Sequence, residues 1–173
     1  NMTSGTLSDL FSSGEGTAIV DGGSITGTLS NAKGTVEIKK GTVTTLNNNS
    51  SGKLTIGNGT VTALNNNVNG EVIISNGTIT TFNNNSGKVT ISNGTITTFN
   101  NDSGEVATSA GEIITFNNSS KTKTVTIGGG TVTTFNGNSG SKISFTGGTI
   151  TDLTLKSGST AEISNEDTII NKL

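Results

Sequence analysis

The sequence predicts an all-β protein, a single-domain β-solenoid of about eight or nine coils with 17–19 residues in each coil. A block Gly-Thr-[Ile/Val]-Thr-x-[Leu/Phe] is followed by an Asn-rich corner and by [Lys/Glu]-[Val/Leu/Ile]-x-[Ile/Phe]. A period this short is insufficient for a helical hairpin or a propeller blade, so each copy must bury its apolar face by stacking on the next. The apolar content of 28% suits thin coils, because ordinary globular domains have roughly 45–50%. The glycine of the block recurs at Gly23, Gly41, Gly59, Gly77, Gly94, Gly111, Gly130 and Gly148.

The chain is divided by this pattern into three parts. We expect an N-terminal cap over residues 1–16, solenoid repeats over residues 17–165, and a C-terminal end or continuation over residues 166–173. In the cap, Leu7, Leu10 and Phe11 have a spacing that is compatible with a helix. Such a cap would shield the first coil from pairing with another chain.

Each coil is predicted to contain two short strands. One lies around Val-x-Ile, where apolar residues two apart are typical of a strand with one buried face, and the other lies around Thr-Ile-Thr. Four apolar positions per coil are therefore expected in the core. Coil by coil they are Val36, Ile38, Val43, Leu46; Leu54, Ile56, Val61, Leu64; Val72, Ile74, Ile79, Phe82; Val89, Ile91, Ile96, Phe99; Val125, Ile127, Val132, Phe135; and Ile143, Phe145, Ile150, Leu153.

The two corners of the predicted coil differ. The corner between the strands has a constant length and usually ends in glycine, as in Ser92-Asn93-Gly94, because Asn-Gly favours positive φ and tight turning. The opposite corner varies in length, for example between Asn85-Ser86-Gly87 and residues 118–123. A binding face built from loops would lie on this variable side.

Three ladders are predicted to run along the solenoid axis. Four phenylalanines should stack about 4.8 Å apart inside the core: Phe82, Phe99, Phe116 and Phe135. Asparagines should form side-chain amide ladders at residues 47–49, 65–67, 83–85, 100–101 and 117–118. Residues of alternating charge at the start of successive coils should favour one register: Lys53, Glu71, Lys88, Glu105 and Lys123.

The composition argues against several classes of function. A net charge of −2 with interspersed Lys and Glu leaves no basic stripe for nucleic acid. No apolar run approaches the roughly 18–20 residues of a membrane span, so we expect no direct membrane insertion. With no Cys, His, Tyr or Arg, and with scattered carboxylates of which Asp102/Glu105 and Glu166/Asp167 come nearest to pairs, we expect no enzyme, no metal and no cofactor.

An outward Thr-x-Thr array is the candidate functional surface. In six coils two threonines flank an inward Ile or Val, so their hydroxyls should form two parallel files. The residues are Thr42, Thr44, Thr60, Thr62, Thr78, Thr80, Thr95, Thr97, Thr131, Thr133, Thr149 and Thr151. This pattern resembles the Thr-x-Thr ranks of β-solenoid antifreeze proteins, which implies ice binding, although Glu112 and Ile114 interrupt the grid.

The whole coil, with its Gly-Thr-Ile-Thr-x-Phe-Asn-Asn run, resembles repeats in passenger domains of bacterial autotransporters and related surface adhesins over residues 17–165. The resemblance is one of repeat style. It implies an extracellular or bacterial cell-surface location and a non-enzymatic structural or adhesive role, with a host surface or glycan as partner. Ice binding and an extracellular filament subunit that self-associates end to end are the alternatives. Because Asn1-Met2 is not a natural translation start, we also expect that a leader or a larger parent was removed.

Overall fold

The computed structural model describes residues 1–49, 51–165 and 168–172, and every regular element in them is a β-strand. This described part contains no helix that is long and apolar enough to cross a bilayer. In chain order the strands are β1 (Thr6–Leu7), β2 (Leu10–Ser12), β3 (Thr17–Asn31), β4 (Thr35–Asn48), β5 (Lys53–Ile56), β6 (Thr60–Asn66), β7 (Glu71–Ile74), β8 (Thr78–Asn84), β9 (Lys88–Ile91), β10 (Thr95–Asn101), β11 (Glu105–Thr108), β12 (Glu112–Asn118), β13 (Thr124–Ile127), β14 (Thr131–Gly137), β15 (Lys142–Phe145), β16 (Thr149–Leu155), β17 (Thr160–Ile163) and β18 (Ile169–Lys172).

The strands are wound into a single β-solenoid of about nine turns, which confirms the predicted fold class. Strands of successive coils pair in parallel, as β6 does with β4 and β8. From Thr42 to Thr149 the paired residues are 17–19 positions apart, as predicted. Thr149 pairs with Ile169, 20 residues later, so the last coil is longer than the predicted range. The array therefore continues through β18, beyond residue 165.

The coil has three sides because each long strand bends in its middle. In β6, Val61 and Leu64 are buried, and both residues between them, Thr62 and Ala63, point outward. The in-out alternation of the strand thus changes phase at Thr62. The register pairs between coils run through Thr60, Val61 and Ala63 and skip Thr62, as expected for a bend. The short strand forms one side of the coil, and the two halves of the long strand form the other two.

All four predicted apolar positions of each coil are buried, with at most 3% of their surface exposed. The phenylalanine ladder is also confirmed. The ring centroids of Phe82, Phe99 and Phe116 are 4.7 Å apart in stacked pairs, and Phe135 follows at 4.8 Å in a tilted orientation. Phe145, from the short strand β15, meets Phe135 edge-on at 5.9 Å and ends the stack. The spacings of 4.7–4.8 Å match the distance between hydrogen-bonded neighbouring strands, which is the rise from one coil to the next.

The corner glycines serve two different purposes. Gly94 has a φ of +110°, and a Cβ there would lie 2.5 Å from the carbonyl oxygen of Gly77, so this corner needs glycine for its left-handed backbone, as predicted. Gly77 is not among the residues with positive φ. Its Cβ would instead collide with Cγ2 of Ile56, so at Gly77 the reason for glycine is close packing of the corner onto the core.

The N-terminal segment contains no helix in the described residues, which corrects the interpretation of its apolar spacing. Leu7 lies on β1 and pairs with Ile25, whereas Leu10 and Phe11 lie on β2 and pair with the far end of β3. Met2 adds an isolated parallel bridge to Val20. Residues 1–16 thus add strands to one end of the solenoid. The predicted boundaries of a cap stay predictions, and Ser50, Glu166, Asp167 and Leu173 lie outside the described residues.

The charge ladder is present over four coils and ends one position earlier than predicted. Lys53, Glu71, Lys88 and Glu105 are successive register partners, and the Nζ of Lys53 lies 3.4 Å from Oε2 of Glu71. Lys123 is not the fifth member. Val106 pairs with Val125, which places Thr124 opposite Glu105. The extra residues of the preceding loop shift Lys123 out of the file.

Replacing Glu71 with lysine should lower the free energy of unfolding by about 0.5–1 kcal/mol at low salt. The new ammonium group would stand between Lys53 and Lys88 with no compensating partner in the file. The loss should shrink in high salt, because screening weakens exposed charges. Urea denaturation at two salt concentrations measures it.

Glu112→Lys is the matched control, because the register neighbours of Glu112 are Thr95 and Thr131. A Glu71→Lys variant that is as stable as the parent at low salt would show that the ladder contributes nothing to the register.

Candidate functional site

The predicted Thr-x-Thr array is found on the outside of the solenoid, but its two files belong to different parts of the coil. The first file runs from coil to coil through register pairs such as Thr42–Thr60 and Thr60–Thr78. The second file, which includes Thr62, occupies the bends of the long strands. The two files therefore diverge around a corner. Glu112 and the exposed Ile114 interrupt them, as the sequence predicted.

A regular outward grid lies on the neighbouring side, formed by the second half of each long strand. Two outward columns stand there, two residues apart along each strand, and we call this surface the amide face. One column is Thr28, Thr45, Ala63, Thr81, Thr98, Thr115 and Thr134. The other column is Ser30, Asn47, Asn65, Asn83, Asn100, Asn117 and Asn136.

The amide face carries no charged side chain over seven coils, and charge returns only at its end, where Asp152 follows Thr134. Every one of its side chains is half-buried, because each is flanked by the equivalent residue of the next coil. The coil rise of about 4.8 Å and the two-residue step of about 6.6 Å define a regular two-column lattice.

The asparagine column of the amide face is a hydrogen-bonded ladder. Each Nδ2 donates to Oδ1 of the asparagine in the preceding coil, at 2.8–2.9 Å from Asn65 through Asn136. A side-chain amide has two N–H donors and two acceptor lone pairs. Within the ladder each interior amide therefore keeps one donor and one lone pair for solvent or a partner. The orientation of these groups is repeated in every coil.

A second asparagine ladder lies directly beneath the face, inside the core. Its members are wholly buried and point inward from the same strand segments: Asn31, Asn48, Asn66, Asn84, Asn101 and Asn118. Each Nδ2 donates to Oδ1 of the following coil at 2.8–3.0 Å, opposite in direction to the outer ladder. Nδ2 of Asn66 also donates to the carbonyls of Gly70 and Ser86, which fixes the loop between coils. The outer ladder fixes the side chains of the amide face itself, and the inner ladder fixes the same strand segments from the core side.

The inner ladder ends where its pattern in the sequence ends. Oδ1 of Asn31 and Nδ2 of Asn118, the two terminal groups, are buried without a hydrogen-bond partner. Gly137 occupies the next position after Asn118. Sequence reasoning predicted amide ladders but did not separate the inner from the outer file. The signal was available, because Asn84 lies two residues after the inward Phe82 and so shares its face.

The carboxylates singled out in the sequence do not form a metal-binding cluster in the described part of the chain. No group of three or more His, Cys, Asp or Glu side chains there could hold a metal ion. Glu112 stands alone among threonines, and Asp102 and Glu105 lie on a loop and at the start of β11. The sequence pair Glu166/Asp167 lies outside the described residues.

Comparison with known proteins gives no relative from which a function could be transferred. The chain matches no protein-family model, no curated protein and no solved structure.

Proposed function

We propose that this chain is a non-enzymatic, extended scaffold of an exported surface protein and that it has an adhesive role. The observation that carries the proposal is the amide face, a charge-free lattice of Thr and Asn side chains that spans seven coils. A host surface or glycan is the partner that suits it. The repeat style, which resembles that of bacterial surface adhesins, supports the cell-surface location.

The chemistry of the amide face favours many weak contacts with a repeating polar surface. Six of the seven coils offer an amide donor and an amide acceptor, and six offer a threonine hydroxyl, all of them neutral. Neutral hydrogen bonds with a solvated partner are individually worth little, about 0.5–1.5 kcal/mol. Repetition along a rigid rod makes them act together, because later contacts form at a high effective concentration. Two hydrogen-bonded ladders keep the lattice ordered before binding, which lowers the entropy cost.

The experiment compares two triple variants with equal added charge and similar spacing. Thr45→Lys, Thr81→Lys and Thr115→Lys place three charges on the amide face. Thr55→Lys, Thr90→Lys and Thr126→Lys place three charges on the outward positions of the short strands. Adsorption to immobilised polysaccharides and to host-cell surfaces is measured for both variants and the parent.

We expect the parent to adsorb and the amide-face variant to lose at least about tenfold in apparent affinity, because each charge would have to be desolvated at the contact. The short-strand variant should adsorb like the parent. Equal losses in the two variants would contradict an adhesive amide face, and so would a parent that adsorbs to none of these surfaces.

Ice binding is the second candidate function. The surface that supports it is the amide face and not the Thr-x-Thr files that the sequence predicts. A charge-free lattice with regularly spaced hydroxyl and amide groups can order water, whereas the Thr-x-Thr files diverge around a bend and are interrupted by Glu112. A thermal-hysteresis assay with the same two triple variants tests this function. End-to-end filament assembly stays a prediction, which electron microscopy of concentrated protein checks.

A further inference from the structure

The variable corner of the solenoid contains a recess that arises from differences in loop length. The loops that precede β9 and β11 have three residues each, 85–87 and 102–104. Longer loops stand on both sides of them, four residues at 67–70 and five at 119–123. The short loops thus form the floor of a recess of about 250 Å³ between two higher walls, which we call the loop notch. Its lining residues are Asn69, Ser86, Gly87, Lys88, Ser103, Glu105 and Lys123.

The loop notch is lined by polar groups whose bonding capacity is largely unused. Among the described residues, Lys88, Glu105 and Lys123 have no ion pair within 4.0 Å, although Lys88 and Glu105 are register partners. The hydroxyl of Ser103 donates to the carbonyl of Asn85 at 2.6 Å and keeps its lone pairs. Two lysines, one glutamate and several neutral residues therefore line one small volume.

Two residues of the loop notch have a left-handed backbone, which fixes the course of its loops. Asn69, on the higher wall, has a φ of +47° and is the one non-glycine residue with positive φ among those described. Gly87, on the floor, has a φ of +107°, and a Cβ there would collide with the carbonyl of Gly70.

We propose that the loop notch binds an acidic sugar unit, a pyranose ring that carries a carboxylate. The carboxylate binds to the ammonium group of Lys123, and the ring hydroxyls bond to Lys88, to Glu105 and to the neutral side chains of the notch. The volume suits one ring, since pockets for drug-sized ligands begin at about 300 Å³. The notch adds a specific ligand site to the proposed adhesive role and lies on a surface separate from the amide face.

The test is an NMR titration of the whole chain with sodium glucuronate, with glucose as the neutral ring and sodium acetate as the ringless carboxylate. Lys123→Gln removes one of the two ammonium groups. Because Lys123 lies in a loop and not in a strand, the fold should be retained. Lys121→Gln removes a charge from the same loop at a residue that does not line the notch, and it is the matched control.

We expect saturable shifts of the amide signals of residues 86–88, 103–105 and 123 at millimolar glucuronate. Glucose and acetate should each bind at least about tenfold more weakly, because each lacks half of the contacts. Lys123→Gln should weaken glucuronate binding at least about fivefold, and Lys121→Gln should leave it unchanged. Shifts that do not saturate, equal binding of acetate and glucuronate, or equal effects of the two variants would each overturn the proposal. The adsorption experiment on the amide face is unaffected by either result.

Discussion

Replacing Phe99 with alanine should lower the free energy of unfolding by about 3–5 kcal/mol. The Phe99 side chain is wholly buried and stacks between Phe82 and Phe116, with centroid distances of 4.7 Å on both sides. Truncation would remove the buried ring and leave a cavity in the middle of the stack. The coil backbones above and below are held by β-sheet pairing, so they cannot collapse into that cavity. Urea denaturation followed by circular dichroism measures the loss.

Thr97→Ala is the matched control for Phe99→Ala, because Thr97 lies on the same strand at an exposed position. Thr97→Ala should lower the free energy of unfolding by less than about 1 kcal/mol, as is usual for substitutions at exposed positions. Phe99→Leu should be intermediate, since leucine already fills the equivalent position in other coils at Leu46 and Leu64. Equal losses at Phe99 and Thr97 would mean that the inward and outward assignments of this strand are wrong.

The fold could be predicted because the same inward positions are repeated in every coil. A side chain such as Ile79 has its equivalent one coil away as its nearest neighbour, so a pattern in one coil constrains all the others. The alternation of Lys53 and Glu71 adds a register constraint that can also be read from the sequence. Long-range pairing, which is usually hidden in a sequence, becomes a matter of counting residues in a solenoid.

The bend of the long strands could not be predicted from apolar spacing alone. Val61 and Leu64 are three residues apart, a spacing that fits either one irregular strand or two strand segments around a corner. Because of this ambiguity, the sequence points to the Thr-x-Thr files as the candidate surface, whereas the regular lattice in the structure is the amide face. The Thr-x-Thr motif is conspicuous in the sequence, but its second threonine lies at the bend, and the two-column lattice is formed by the residues that follow it.

The N-terminal segment was misinterpreted for the same physical reason. Apolar residues three or four positions apart indicate a helix when a segment is considered alone. In a solenoid the same spacing arises where a coil turns between two short strands, as between Leu7 on β1 and Leu10 on β2. The side on which the loop notch lies was the side predicted for a binding face built from loops, but the recess itself could not be predicted, because it depends on how loops of four successive coils stand next to one another.

Replacing Asn84 with alanine should lower the free energy of unfolding by about 2–4 kcal/mol. Asn84 is wholly buried in the middle of the inner ladder. It accepts a hydrogen bond from Nδ2 of Asn66 and donates one to Oδ1 of Asn101, both at 2.8 Å. Alanine would break both bonds. Nδ2 of Asn66 would keep two carbonyl acceptors, but Oδ1 of Asn101 would be buried without a donor.

Asn83→Ala is the control, one residue away and identical in the atoms removed. Asn83 also bonds to both neighbouring coils, to Asn65 and from Asn100 at 2.9 Å each, but it lies half-exposed on the amide face. Water can satisfy the groups freed there, so its loss should stay below about 1 kcal/mol. Denaturation gives both values, and amide hydrogen exchange should show that protection falls around β8 and β10 only in the Asn84 variant. If the two variants were equally stable, the inner amides could not be shielded from water, and the ladder beneath the amide face would have no part in keeping its lattice in order.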